Sequence, residues 1–250
     1  VGPAAPSRPA TGRHRIRLVP FESVMAKVWN KRMFKHIRQS ADLASKVLAE
    51  ERGPCPDAAE HGIMERFSHK LAIAPPASIS IICGGTSPGI EPLVGNAFTH
   101  KTLSGSFAVR NAHLEKLLEE KGRNDEETWS SIILHEGSVQ HLDFLNEEEK
   151  AVFKTAFELD QRWLVEHAAD RTPYICQAQS LNLFLPADVH KRDLHQIHLM
   201  AWKRGLKSLY YCRSRSLQRA ESPLALAAVP DTPAPPQGTR LDYEECLACQ

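Results

Sequence analysis

The stretch that most narrows what this chain can fold into is residues 181–212, where strand, helix and strand signals follow one another within about thirty residues. Residues 181–185 are a compact, mostly apolar run closed by Pro186, which cannot donate to a sheet ladder; they read as a buried strand. Asp188 or Asp193 can start a helix that ends near Gly205, and residues 206–212 repeat the strand signal. A strand, a crossover helix and a second strand make a βαβ unit, so the expected class is α/β with a parallel sheet.

The rest of the chain is read around that unit. From residue 21 to about 51, Val24, Val28, Phe34, Ile37, Leu43 and Leu48 mostly keep helical spacing, and Gly53-Pro54 stops the helix. Residues 113–121 and 126–135 predict two shorter helices, ended by Gly122 and Gly137. Asn146 suits an N-cap, and Glu147, Glu148 and Glu149 complement the dipole of a helix expected to run to about Asp170. Residues 73–82 carry Ile at 73, 79, 81 and 82 between Pro75-Pro76 and Gly84-Gly85, which predicts a loop running into a short buried strand.

The ends differ from this middle. Residues 1–20 contain Pro3, Pro6, Pro9 and Pro20, with Arg8, Arg13, Arg15 and Arg17 and no acid nearby. A solvated flexible arm is the favoured reading, over one that binds phosphate. Beyond Ser222 a Pro/Ala-rich linker leads to an acidic, cysteine-containing end that it can swing over tens of ångströms. The expected organisation is an arm at 1–20, a folded part at 21–220, and a linker with tail at 221–250.

Composition excludes several classes. The chain has 31 Lys and Arg against 30 Asp and Glu, so no nucleic-acid partner is expected. No apolar run is long enough to span a bilayer and the start lacks a signal-peptide core, so no membrane association is expected. Six cysteines in 250 residues, at 55, 83, 176, 212, 246 and 249, are too sparse for a secreted disulfide framework. A reducing cytoplasm is expected.

Few motifs carry chemistry. The chain ends Glu244-Glu245-Cys246-Leu247-Ala248-Cys249-Gln250. Two sulfurs at this spacing can close a small-ring disulfide and exchange it with another dithiol. Zinc needs four matched ligands and no second pair lies near, so redox exchange is favoured. In Ile73-Ala74-Pro75-Pro76-Ala77-Ser78-Ile79-Ser80, small and hydroxylated residues at a turn let backbone N–H groups converge on an anion; an ordinary turn is the competing reading. Gly84-Gly85-Thr86-Ser87-Pro88-Gly89 lacks both the GK[ST] ending and the GxGxxG spacing of phosphate loops, and reads as a turn. Tyr210-Tyr211 sits at a strand end, where adjacent rings ordinarily point to opposite faces as packing; a redox role is the minority reading. His135-Glu136 with His141 does not make HExxH, and His190, His195 and His198 have no acid or thiol at a ligand spacing, so no metal site is expected.

The order of the segments says more than any one of them. Ala74-Pro75-Pro76-Ala77-Ser78-Ile79-Ser80 is followed by Gly89-Ile90-Glu91-Pro92, Leu103-Ser104-Gly105-Ser106-Phe107 and Gly137-Ser138-Val139-Gln140. Then come Gln179-Ser180-Leu181-Asn182, Trp202-Lys203-Arg204-Gly205-Leu206-Lys207-Ser208-Leu209-Tyr210-Tyr211 and the terminal cysteine pair. This series resembles the C-terminal portion of class I ribonucleoside-diphosphate reductase large subunits, over residues 21–215 and the last ten. The resemblance implies the C-terminal part of a ten-stranded α/β barrel, with a flexible N-terminal arm and C-terminal tail. It implies that Pro75, Pro76, Ala77, Ser78, Ile79 and Ser80 form the loop whose amides hold the substrate diphosphate. By the same resemblance, Tyr210 and Tyr211 are the stacked pair that carries a radical inward from the small subunit. Cys246 and Cys249 are then the pair that re-reduces the active-site disulfide and is itself reduced by thioredoxin or glutaredoxin.

The departures are as informative. The thiyl-radical cysteine, its Asn and Glu neighbours and both active-site disulfide cysteines lie upstream in the family and have no counterpart here. Pro76 stands where the family has Thr or Ser, which removes one N–H and one hydroxyl and with them part of the expected hold on substrate. Cys55, Cys83, Cys176 and Cys212 match no catalytic position and are expected to be structural. The partners implied are an N-terminal large-subunit fragment, a small subunit carrying the radical cofactor, and a ribonucleoside diphosphate; no cofactor is expected in this chain. The alternatives are an inactive remnant of that subunit, or a standalone dithiol or metal-binding protein that uses only the tail.

Overall fold

The computed structural model describes residues 18–83, 86–102 and 105–214. Ser23 caps the first helix, α1 (Val24–Arg52), by accepting from the Ala26 amide at 3.1 Å, and Gly53 closes it at φ +80°. Its buried residues, Asn30, Ser45 and Ala49, are small or polar. The helix lies along α7 (Gln161–Arg171), and Lys27 and Lys31 reach across to Glu166 and Asp170 at 2.9–3.5 Å. A short helix, α2 (Pro56–Glu60), follows.

The expected buried strand within residues 73–82 is a short helix instead, α3 (Ala77–Ile82). The Pro76 carbonyl accepts from the Ser80 amide at 2.8 Å and the Ile79 carbonyl from Cys83 at 2.9 Å. Proline at the helix start has its φ already set for the turn, and Ile79 and Ile82 stand 60% and 85% exposed with no apolar face to pleat against. Only Ile73 pairs like a strand residue, in an isolated parallel bridge to Gln179.

An antiparallel hairpin follows, β1 (Ala97–Thr102) with β2 (Gly105–Arg110), Ala97 opposite Arg110 and Thr102 opposite Gly105. The sequence reading passed it over, although Ser104-Gly105 is a turn dipeptide. Helices α4 (Ala112–Glu120) and α5 (Glu126–Leu134) start at the capping side chains of Asn111 and Asp125. Gly137, at φ +82°, lies so close to Gly95 that a Cβ there would sit 2.5 Å from the Gly95 Cα. No other residue fits.

The single helix expected from Asn146 to about Asp170 is two. Asn146 and Glu149 form a full capping box for α6 (Glu147–Val152), which then ends. Residues beyond it are held by distant partners: Ala156 N–H donates to Leu93 O at 2.8 Å, Lys154 Nζ to Glu22 at 2.6 Å, and Asp160 N–H to Glu22 at 2.6 Å. Asp160 then caps α7 by accepting from the Arg162 amide.

The βαβ unit is present as β3 (Leu183–Leu185), α8 (Lys191–Lys203) and β4 (Cys212–Ser214), with β3 and β4 parallel and Leu183 opposite Cys212. Two details differ from expectation. The cap of α8 is His190, whose Nδ1 accepts from the Arg192 amide at 3.1 Å; Asp193 sits in the first turn, where its charge meets the helix dipole. The second strand starts only at Cys212, because residues 206–211 are fastened otherwise: Leu206 and Leu209 pack into the core, and Lys207 Nζ is held by the carbonyls of Ile175, Cys176 and Gln177. The described residues are a piece of an α/β arrangement and not a closed barrel.

Three apolar clusters hold these elements. One joins β1, α4, α5 and the segment up to Phe153, with Leu114, Leu118, Trp129 and Ile132 almost fully buried. The others lie on either side of α7: Leu164 and Ala168 with Leu181 and Phe184, and Val165 with Leu183 and Ala201. Fully burying a side chain of Leu or Ile size contributes roughly 1.5–3 kcal/mol, so these clusters outweigh any exposed ion pair.

Candidate functional site

Tyr210 and Tyr211 lie just before β4 and are half-exposed. The sequence expectation of rings on opposite faces fails, because the backbone here is not yet a regular strand. The ring centroids are 4.1 Å apart and the planes are inclined at 54°, a tilted contact rather than a parallel stack. The Arg213 guanidinium lies 5.4 Å from the Tyr211 ring centroid.

Their position is set through the backbone. Tyr210 N–H donates to Leu181 O at 2.8 Å, Leu183 N–H donates to Tyr211 O at 2.9 Å, and Tyr211 N–H donates to the Asn182 side-chain oxygen at 3.3 Å. Asn182 is itself oriented by Glu91, a buried carboxylate that accepts from both the Asn182 amide and its side-chain nitrogen. Gly89 makes room for that carboxylate, since a Cβ there would lie 2.1 Å from a Glu91 oxygen. A buried acid held by hydrogen bonds thus links Gly89-Ile90-Glu91-Pro92 to Gln179-Ser180-Leu181-Asn182 and the tyrosine pair. The sequence reading missed Glu91; an acid set between Ile90 and Pro92 was the available signal, because carboxylates are rarely buried without a partner.

The same strand edge carries the proline-containing loop. Ile73 N–H donates to Ala178 O at 3.2 Å and Ser180 N–H to Ile73 O at 2.9 Å, so the chain entering Pro75 runs parallel to the segment that leads to Asn182. Pro75 is exposed, Pro76 half-buried, Ile79 exposed and Ser80 buried, with Ala77 opening α3. In open α/β sheets, ligands gather at the carboxyl ends of such parallel strands. The phosphate-loop candidates and the tyrosine pair are therefore placed on neighbouring backbone segments.

Cys246 and Cys249 lie outside the described residues. Of the remaining cysteines, Cys176 has the most definite surroundings: its sulfur accepts from the Lys70 and Leu71 amides at 3.3 Å each and from Arg38 at 3.4 Å. Burial pushes this thiol up, but the two amides and the guanidinium outweigh it and leave its pKa below the ordinary value. Cys212 is pushed up by burial alone. Among the described residues no cluster of His, Cys, Asp and Glu could hold a metal ion; His190, His195 and His198 are exposed, and His135 stacks on His141 at 3.6 Å. No helix of the described residues is long and apolar enough to cross a membrane.

Comparison with known proteins meets this geometry. Residues 57–212 match the family described as ribonucleotide reductase, barrel domain. The ribonucleoside-diphosphate reductase large subunit of Invertebrate iridescent virus 6 is 47% identical over 207 residues, 81% of this chain and 21% of the relative. The putative large subunit of Frog virus 3 is 40% identical over 238 residues, 95% of this chain and 39% of the relative. Among solved structures, an Actinobacillus ureae class Id ribonucleotide reductase alpha subunit superposes with a TM-score of 0.71 at 39% identity, covering 79% of this chain and 36% of its own. The chain thus spans about a fifth to two-fifths of the length of these relatives. It belongs to the class I ribonucleotide reductase large-subunit family, of which it carries the C-terminal part of the α/β barrel.

Proposed function

We propose that this chain contributes three devices to the reduction of ribonucleoside diphosphates: a diphosphate loop, a radical-transfer tyrosine pair and a re-reduction dithiol. The observation that carries the reading is the contact of Tyr210 and Tyr211 on a half-exposed face, anchored to a buried Glu91–Asn182 pair. Packing tyrosines are usually sunk into a core; these two keep both rings together and accessible. That suits relay of an electron and a proton between neighbouring phenols, with the oxidant supplied by a small subunit.

The loop acts through its backbone. Ala77, Ser78 and Ile79 precede the first intrahelical bond of α3, so their N–H groups have no acceptor within the helix and suit the oxygens of a substrate diphosphate. Pro76 offers no N–H, so this grip relies on the residues after it. Cys246 and Cys249 supply the two reducing equivalents by dithiol exchange after a Pro-rich linker, and thioredoxin or glutaredoxin restores them. The residues of this sequence hold no counterpart of the thiyl-forming cysteine or the active-site disulfide, so turnover needs an N-terminal large-subunit segment that supplies them, together with a small subunit.

The test is product formation by the full chain with an upstream large-subunit fragment and a small subunit. Tyr210→Phe and Tyr211→Phe should each abolish turnover and leave the assembled complex intact, since a ring-for-ring exchange preserves packing. Near-normal turnover in either variant would remove the radical-relay role. Cys246→Ser with Cys249→Ser should stop turnover driven by thioredoxin yet permit it with a small dithiol; equal loss with both reductants would make the tail structural.

A further inference from the structure

Residues 178–182 carry the two candidate devices on opposite edges. The Ala178 carbonyl and the Ser180 amide pair with Ile73, at the entry to the proline-containing loop. The Leu181 carbonyl accepts from the Tyr210 amide at 2.8 Å, and the Gln179 carbonyl accepts from Ser208 Oγ at 3.4 Å. Alternate backbone groups of an extended chain point to opposite sides, so Ile73 lies along one edge and residues 208–210 along the other. Yet this stretch is not a regular strand: its bridge to Ile73 is isolated, and β3 begins only at Leu183. So few backbone bonds specify register weakly, and a slip by one residue would turn every group to the wrong side.

The side chain of Gln179 supplies what the ladder lacks. It is buried, and both ends of its amide are engaged. Nε2 donates to the Ala168 carbonyl at 3.0 Å and to Thr172 Oγ1 at 2.9 Å, and Oε1 accepts from Arg171 Nε at 2.6 Å. Arg171, on α7, is only 2% exposed. One of its terminal nitrogens reaches Asn30 Oδ1 at 3.5 Å, and the Asn30 side-chain nitrogen donates to the His167 carbonyl at 2.8 Å, which fixes the guanidinium in the seam between α1 and α7. Burial pushes Arg171 down to about 10, so it keeps its charge at neutral pH, and Glu91 and Asp170 favour that charge from a distance. A buried charge held by neutral side chains adds little to stability, and an apolar side chain would fill the same place at lower cost. What it adds is a short, charge-assisted bond of defined direction, which suits it to select one arrangement among several. At the other end of the stretch, Glu91 holds Asn182.

We propose that Arg171 is a positioning residue for the reduction: through Gln179 it fixes the register of residues 178–182, and with it the placing of the proline-containing loop against the tyrosine pair. This rests on the functional reading above, in which the loop and the pair serve one turnover. Loss of Arg171 then disturbs both at once. The diphosphate is held less well, and the phenols are displaced from the path of the electron.

The experiment has two arms. One is steady-state reduction of CDP, per assembled complex, by the full chain with an N-terminal large-subunit segment and a small subunit. The other is amide exchange of Ser180 and Tyr210 in the full chain alone. Arg171→Met should raise KM and lower kcat by roughly tenfold each, and speed exchange of both amides by a similar factor. Arg171→Lys, which keeps the charge and one donor for Gln179, should stay within about threefold of wild type. Ile132→Val, a buried change in the cluster around α4 and α5, should lower the urea midpoint and leave KM and kcat unmoved, so that lost stability alone does not produce the pattern. Gln179→Met should match Arg171→Met, and the double variant should be no worse than either. Should Arg171→Met not fold, Gln179→Met and Arg171→Lys decide the outcome. An active wild-type complex whose KM and kcat are unmoved in Arg171→Met would overturn the inference and leave the functional reading standing. Unchanged exchange at Ser180 and Tyr210, or losses that multiply in the double variant, would overturn it as well. A wild-type complex without turnover would remove the functional reading and this inference with it.

Discussion

Leu114, Leu118, Trp129 and Ile132, packed between β1, α4 and α5, are at most 1% exposed, whereas Met25, Trp29, Met33 and Ile37 on α1 stand half in solvent. The polar groups of the two regions differ in the same way. Beside the first cluster, buried Asn96 donates to the carbonyls of Gly137 and Phe153 at 3.0 and 2.7 Å and accepts from Asn111 at 2.9 Å, so both ends of its amide are satisfied. Beside α1, buried Arg171 donates to the neutral side chains of Gln179 and Asn30, and Glu91 and Asp170 act on it only from a distance. The region around α4 and α5 is closed by its own sequence neighbours. Helix α1 sets one side on α7 and leaves Met25, Trp29, Met33 and Ile37 half-exposed on another.

The largest effects should fall in the closed region. Trp129→Ala, at a 1% exposed position, should cost roughly 3–5 kcal/mol, read as a shift in the urea midpoint of the full chain. Asn96→Ala strips the buried Phe153 carbonyl of its donor, leaves the Gly137 carbonyl only the Asn96 backbone N–H, and should cost about 1–3 kcal/mol by the same measurement. If either loss is under about 0.5 kcal/mol, the α4–α5 region is not closed.

Each region also holds a histidine whose pKa lies below the ordinary value. Burial and then His135 act on His141, and burial acts on His167 against its bond to Phe21 O. Unfolding lets both rise to about 6.5, so the unfolded chain binds more protons below that pH. Stability is therefore full above about pH 6.5 and declines as pH falls below it. Urea midpoints between about pH 7.5 and 5.5 should show this fall, with a smaller slope in His141→Gln and in His167→Gln. An unchanged slope in His167→Gln would mean that the α1–α7 seam is already open to water.

The smallest effect should come from the open face. Met33→Glu in the chain alone should change stability by less than about 0.5 kcal/mol, because that side chain is half in solvent already. A cost of several kcal/mol would mean that this face is covered within the chain, and would erase the contrast.

How much of this was legible depends on the distance over which each feature is decided. Gly53, Gly122 and Gly137 end helices, and Asn146 with Glu149 starts one, by rules that act within a turn; these read directly from sequence. The βαβ unit was legible because its period changes twice. The break between α6 and α7 was not, since it is imposed by Leu93 and Glu22 from far along the chain. Residues 73–82 misled because isoleucine favours strands only where a face covers it, and Ile82 has none. At the site, Tyr210 and Tyr211 were found through family resemblance, while Glu91, which orients them through Asn182, is 91 residues from its partner and invisible to spacing. The roles of Cys246 and Cys249 rest on their CxxC spacing and the resemblance.

The contrast between the closed α4–α5 region and the half-exposed face of α1 is read out by amide hydrogen exchange on the full chain, alone and with an N-terminal large-subunit segment. Slow amides in α4 and α5 are expected in both states, with faster amides in α1 and β3 that slow by roughly tenfold or more when the segment is added. Equal protection of α1 and α5 in the chain alone, unchanged by the segment, would contradict the contrast.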